Sequence, residues 1–105
     1  MKAITLTATG VAATAVAALN LNVSPFNVGF GVAVTGTVTY TVQHTFDDVY
    51  AAGFAPASAT WYNHPTVVTQ SASADGNYAF PVRGVRVNIT AGTGSVIATL
   101  LQAGI

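Results

Sequence analysis

The chain has 105 residues, which suits one domain and is short for two. Apolar residues make up 51% of it, enough for a core, and the lack of cysteine excludes disulfides, thiolate zinc sites and cysteine nucleophiles. Only 6% of the residues are charged and the net charge is zero. We therefore expect no nucleic-acid partner, since phosphate binding needs clustered Lys and Arg, and no apolar run is long enough for a membrane helix.

The first predicted element is a strand at residues 2–9, where Ile4, Leu6 and Ala8 alternate with threonines. These threonines interrupt what would otherwise be the apolar region of a signal peptide, so we interpret the segment as a structural N-terminal strand. Residues 11–19 are rich in alanine but have no good helix cap and lie between predicted strands. We expect a loop or a short strand there.

The strongest signal is the period-two alternation from Phe26 to Phe46. Even positions are mainly apolar or aromatic, and odd positions are mainly threonine and glycine, as in a half-buried strand whose threonines face outward. One unbroken strand would be about 70 Å long, too long for a domain of this size. We therefore predict a turn at Gly36, and a core that includes Phe26, Phe30, Tyr40 and Phe46.

Weaker strand signals follow at residues 66–73, 85–90 and 95–102. The last of these is apolar on both faces, which predicts a central strand or one covered by a partner. Residues 75–77 (Asp-Gly-Asn) predict a turn, and residues 91–94 (Ala-Gly-Thr-Gly) predict a loop that joins the last two strands as a hairpin.

Short strands at this spacing, with glycine-rich turns between them, predict an all-β chain. We expect a single domain over residues 1–105, folded as an antiparallel β-sandwich, of which the jelly roll is one form.

The longest irregular region, residues 46–64, supplies the candidate interface residues Phe54, Trp61, Tyr62 and His64. Loops of this length in small domains are often functional. An aromatic loop can anchor a protein interface, form a platform for a sugar, or pack over the end of its own sandwich. The sequence leaves these three readings open.

Candidates for chemistry are few. His44, Asp47, Asp48 and His64 do not have the spacing of an established metal site, and we interpret the two aspartates as capping the strand end through backbone N–H groups. The three aspartates of the chain do not suggest two opposed carboxylates, and no nucleophile-elbow motif is present. We expect a protein that is not an enzyme, with no catalytic residues, metal or cofactor.

The low charge also favours association, because repulsion between charged surfaces is what keeps proteins apart. We therefore expect a homo-oligomer, or a chain whose surface is largely covered by a partner.

Three runs of the sequence resemble small structural proteins of tailed bacteriophages: Pro25–Val28, Gly36–Asp48 and Ala74–Arg83. The resemblance implies location in the virion and a role as a capsid decoration (cement) protein, which oligomerises and stabilises contacts between subunits of the major capsid protein. A head–tail connector or a tail component is the alternative within the virion, and another virion protein would then be the partner. A carbohydrate-binding module that uses the aromatic loop is the alternative outside it. No catalytic residues come with the resemblance.

Overall fold

The computed structural model describes residues 2–19, 27–49, 53–55, 58–79 and 81–102. These residues form eight strands and no helix, so the all-β prediction is confirmed. The strands are β1 (Lys2–Thr9), β2 (Ala17–Ala18), β3 (Val28–Thr35), β4 (Val38–Thr45), β5 (Tyr62–Asn63), β6 (Ala74–Tyr78), β7 (Gly84–Gly92) and β8 (Ser95–Gln102). Within the same residues, no helix long and apolar enough to cross a membrane is found.

The strands form two four-stranded antiparallel sheets that pack together as a β-sandwich, as the sequence predicts. Sheet 1 has the order β1-β8-β3-β6, and sheet 2 has the order β2-β7-β4-β5. The predicted central position of the last strand is confirmed, because β8 pairs with β1 from Lys2↔Gln102 to Thr9↔Ser95 and with β3 on its other side.

The core lies between the sheets and follows the alternation of the sequence. The even positions Val28, Phe30 and Val32 of β3 and Val38, Tyr40 and Val42 of β4 are at most 5% exposed. They meet Val85, Val87 and Ile89 from β7 and Val96, Ala98 and Leu100 from β8. The predicted core position Phe26 lies outside the described residues. The prediction for Phe46 is wrong: β4 ends at Thr45, one residue before it, and the Phe46 side chain is 50% exposed.

The outward threonines of β4 are not uniformly solvated, contrary to the prediction. Thr45 is fully buried, and its hydroxyl donates to the carbonyl of Thr60 at 2.8 Å. Thr41 is 6% exposed, and its Oγ1 accepts a hydrogen bond from the backbone N–H of Thr69 at 2.9 Å. Irregular segments of the chain therefore lie over this part of sheet 2 and bury the strand on both faces.

Three other local predictions have mixed outcomes. The loop or short strand expected before residue 20 is confirmed by β2 and by an isolated bridge between Ala13 and Asn88. Residues 66–73 form no strand, only a single bridge from Gln70 to Tyr40. The turn predicted at residues 75–77 is wrong, because these residues lie inside β6, where Gly76 pairs with Phe30.

The turns at one end of the sandwich explain why β7 and β8 do not form the predicted hairpin. Gly36, with a φ of 81°, makes the expected turn between β3 and β4. The connection after β7 packs on that turn, with the N–H groups of Thr93 and Gly94 donating to Thr37 O at 3.1 and 3.0 Å. Both connections therefore cross from one sheet to the other, and β7 and β8 lie in different sheets.

Candidate functional site

Six aromatic rings gather at the opposite end of the sandwich, where β4 and β6 finish. We call them the ring cluster: Phe30, His44, Phe46, Tyr62, His64 and Tyr78, whose neighbouring ring centroids lie 5.0–5.9 Å apart. Sheet 1 contributes Phe30 and Tyr78, and β4, β5 and the residues next to them contribute the rest. The cluster runs from the core to the surface.

The exposed end of the cluster is the pair Phe46 and Tyr62, each with 50% of its surface accessible. The two rings meet edge to face, with centroids 5.6 Å apart. Tyr62 is the cross-strand neighbour of His44 and stacks on its ring at 5.9 Å, because a residue pair in register projects to the same face of a sheet. Two large aromatic side chains are thus presented on a packed base.

His44 and Tyr78 join the two sheets beneath that pair. The Nδ1 atom of His44 is hydrogen-bonded to the Tyr78 hydroxyl at 2.9 Å, and the rings meet edge to face at 5.0 Å. Burial lowers the pKa of His44, and the nearby His64 lowers it further. Burial also raises the pKa of Tyr78, because a low-dielectric environment disfavours the charged form of either group. Both side chains are therefore neutral at pH 7.

His64, one of the four predicted interface residues, is 4% exposed and belongs to the interior of the fold. Its Nδ1 atom accepts hydrogen bonds from the backbone N–H groups of Thr66 and Val67, at 3.2 and 3.1 Å. The Nε2 atom donates to the carbonyl of Asn77 at 3.0 Å. This side chain fixes the segment after β5 and is not available to a partner in the folded chain.

Trp61 lies over the outer face of sheet 2 and is half-buried there. Its ring covers the guanidinium of Arg86, with the carbon Cζ 4.1 Å from the ring centroid. The Nε atom of Arg86 donates to Gln43 Oε1 at 2.9 Å, and Gln43 Nε2 donates to Asn63 Oδ1 at 3.2 Å. A chain of planar polar groups therefore connects β7, β4 and β5 beside the indole.

The backbone just before Trp61 is fixed from two sides. The Thr45 hydroxyl donates to Thr60 O, and the Thr60 N–H donates to Asp47 Oδ2 at 2.9 Å. The predicted role of Asp47, accepting a backbone N–H beyond the strand end, is confirmed; Asp48 makes an exposed ion pair with Arg83 at 3.8 Å. These contacts hold the chain as it enters β5, and so position Trp61 and Tyr62.

The four predicted interface residues do not form one patch. Tyr62 faces the ring cluster and Trp61 faces the outside of sheet 2, because they are consecutive residues at the start of a strand. Phe54 is half-buried in the short described stretch of residues 53–55. The sequence did not predict Phe46 as an exposed aromatic residue of this site. Its position at the end of the alternation, next to two aspartates, was the one feature that could have indicated its exposure.

The chemistry of this end is that of contact surfaces. Among the described residues, no group of three or more His, Cys, Asp or Glu side chains is placed to hold a metal ion. What the site does present is aromatic surface with adjoining amide and guanidinium groups, the combination that proteins use to bind other proteins and sugars. Comparison with known protein families, with curated proteins and with solved structures finds no match for the chain.

Proposed function

We propose that the chain is a structural protein of a virion, and specifically a decoration protein that oligomerises and binds the outer surface of a capsid shell. The observation that carries the docking part of this proposal is the exposed pair of Phe46 and Tyr62, backed by buried rings. Large aromatic side chains are among the commonest anchors of protein interfaces, and anchors dominate binding energy.

Two properties of the pair favour binding. Its rings rest on His44, whose own ring is fixed against Tyr78, so little side-chain freedom remains to be lost in a complex. Tyr62 lies in the segment from Val49 to His64, which contains no Lys, Arg, Asp or Glu, so covering that part of the site does not require the desolvation of a charged side chain. Phe46, in contrast, is followed by the exposed Asp47 and Asp48.

The arrangement of the strands is also consistent with this role. We interpret the orders β1-β8-β3-β6 and β2-β7-β4-β5 as those of a jelly roll, a fold that is frequent in viral capsid proteins and in lectins. Together with the resemblance to small phage proteins, this favours a virion component. An oligomer that contacts several capsid subunits at once gains affinity from effective concentration, even when each contact is weak.

The test uses particles that lack this protein and measures how tightly the purified chain binds to them. Tyr62→Ala and Phe46→Ala should each weaken attachment by about tenfold or more, since removing an interface anchor costs about 2 kcal/mol or more. The matched control is Val11→Ala, at a side chain that is 69% exposed and does not belong to the ring cluster. Unchanged attachment by both aromatic variants, with folding intact, would remove this site from the proposal.

Within the virion, the alternative is a head–tail connector or a tail component. Copy number separates these roles, because a decoration protein is present in proportion to the capsid subunits and a connector is present as a single ring. Quantitative mass spectrometry of purified particles gives this ratio directly.

A second candidate function is carbohydrate binding, which the surroundings of Trp61 favour. The indole covers the guanidinium of Arg86, which is hydrogen-bonded to the amide of Gln43 and through it to Asn63, and planar polar side chains near an aromatic ring are typical of sugar sites. A glycan array with the isolated protein tests it. Binding that Trp61→Ala removes and Tyr62→Ala leaves intact would favour this function over the capsid role.

A further inference from the structure

The outer face of sheet 1 has a ridge and a trough on neighbouring strands. The ridge is on β8, where Ile97 and Leu101 are 46% and 41% exposed on either side of Thr99. The trough is on β3, where the positions directly opposite these three residues are Ala33, Gly29 and Gly31. Because successive strands lie about 4.8 Å apart, the two features run side by side along the centre of the sheet.

The trough opens into a shallow groove of about 490 Å³ between β8 and β6. Gly29 and Gly31 have no positive φ, and a Cβ atom at either position would meet no atom within 4 Å. Neither the backbone conformation nor the packing within the chain therefore requires glycine at these two positions. Glycine also weakens a strand, so its presence here has a cost for the monomer. Glycines of this kind often mark a place where another backbone or a ligand approaches closely.

The rims of the face are polar and differ from each other. On β6, Asp75 is opposite Gly31 and carries the only charge among the side chains that the structure describes on this face. On β1, at the other edge of the sheet, the outward positions include Thr5 and Thr7, which pair with Thr99 and Ile97. One rim thus offers hydrogen-bond acceptors with a negative charge, and the other offers hydroxyl donors.

We propose that this face binds the same face of a second copy of the chain. A twofold axis roughly parallel to the strands, midway between β3 and β8, places the β8 ridge of each copy over the β3 trough of the other. The same axis places the β1 rim over the β6 rim, so Thr5 and Thr7 come opposite Asp75, and the carboxylate meets hydroxyl donors instead of another charge.

The area of the face agrees with a dimer. Four strands of up to eight residues give about 500 Å² in projection on each copy, and about 1,000 Å² for the pair, which is the lower bound for a specific interface. We therefore expect a dimer that dissociates in the micromolar range. The inference rests on the oligomeric part of the proposed function and is independent of what the ring cluster binds.

Sedimentation equilibrium of the purified protein tests the inference, with Gly31→Val as the decisive variant. Valine fits the strand and the open space, so the variant should fold at least as well as the parent, but its side chain fills the trough. We expect the dimer dissociation constant to rise by about a hundredfold or more. The matched control is Thr90→Val, at an exposed position on the outer face of sheet 2, which should leave that constant unchanged.

Several results would overturn the inference. A parent protein that is monomeric at about 100 μM excludes the dimer, and an unchanged dissociation constant in folded Gly31→Val places the contact elsewhere. A monomeric parent whose attachment to particles is lost in Gly31→Val would assign this face to a capsid subunit. That last result contradicts the dimer but supports the proposed function, whereas loss of attachment in Tyr62→Ala alone bears only on the ring cluster.

Discussion

Gly76 is the position where a single methyl group should most clearly test the ring cluster. An alanine Cβ there would be 2.9 Å from Phe30 Cζ and 3.2 Å from His64 Cε1, although the φ of Gly76 is not positive. Overpacking a core costs about 1–3 kcal/mol, and replacing glycine within a strand returns about 0.5–1 kcal/mol. Gly76→Ala should therefore lose about 1–2 kcal/mol of unfolding free energy, or about 5–15 °C in melting temperature.

The matched control is Gly31→Ala on the neighbouring strand β3. Both glycines lie in the same pair of strands, but a Cβ at Gly31 meets open space. The same substitution should therefore stabilise the folded monomer by about 0.5–1 kcal/mol. Urea denaturation followed by circular dichroism, at concentrations below the dimer dissociation constant, gives both values.

A double-mutant cycle identifies the cause of the loss at Gly76. Phe30→Leu removes the ring atom that the new methyl group would contact, so Gly76→Ala should cost less in that background than in the parent. An equal cost in both backgrounds would show that the loss arises from His64 or from the backbone of β6 and not from Phe30. The contact between the new methyl group and Phe30 would then not be the cause of the destabilisation.

Three further predictions concern the core, the indole and pH. Val42→Asp should abolish soluble folding, since Val42 is 1% exposed and an unpaired buried charge costs several kcal/mol. Thr41→Asp should also destabilise the chain, by about 1–3 kcal/mol, because Thr41 is buried on the other face of the same strand. Expression yield and denaturation curves check this pair, and a fully stable Thr41→Asp variant would contradict the burial. Trp61→Ala should cost about 1–2 kcal/mol, since the half-buried indole loses its contact with Arg86; a loss of about 4 kcal/mol would indicate a core residue instead. Because burial lowers the pKa of His44 in the folded chain, the unfolded chain binds that proton more readily, and stability should fall as the pH drops below about 6.5, where the unfolded histidine titrates. Denaturation between pH 8 and pH 5 measures this slope, which His44→Gln should reduce.

The strands and the main core could be predicted from the sequence because one face of each sheet is buried. Alternation of apolar residues with threonine and glycine identified β3 and β4, and Gly36 marked the turn between them. The two-faced apolar pattern of β8 indicated its central place in sheet 1. These signals are local, and each depends only on which residues fit a pleated, half-buried surface.

The pairing of strands could not be predicted in the same way. The loop between β7 and β8 has the glycines of a hairpin, but their role is to let that loop pack against the backbone at Thr37. Gly76 likewise indicates a turn in the sequence, but its place in β6 depends on pairing with Phe30 of β3. In both cases a distant segment determines the conformation, and no local pattern contains that information.

The candidate site was predicted in part. The aromatic residues Trp61 and Tyr62 were identified by type, but the side of β5 that each one faces follows from pairing with β4. Nothing in the local sequence distinguishes His64 from an exposed histidine. Its burial results from backbone N–H groups that only the folded segment places around it. The exposure of Phe46 depends on where β4 stops, which is the least certain feature of any strand prediction.

The pairing of β1 with β8 has a consequence for how the chain reaches its fold during synthesis. Thr9 lies opposite Ser95, so β1 is synthesised long before β8, and its ladder cannot form until β8 has been made. At about 5–20 residues per second, that delay is several seconds, during which an unpaired strand whose one charged residue is Lys2 is open to other nascent chains. A stop codon after Gly94 would remove β8 from between β1 and β3, leaving both without their shared partner. We expect such fragments to accumulate in inclusion bodies, while fragments that lack only β1 retain three strands of sheet 1.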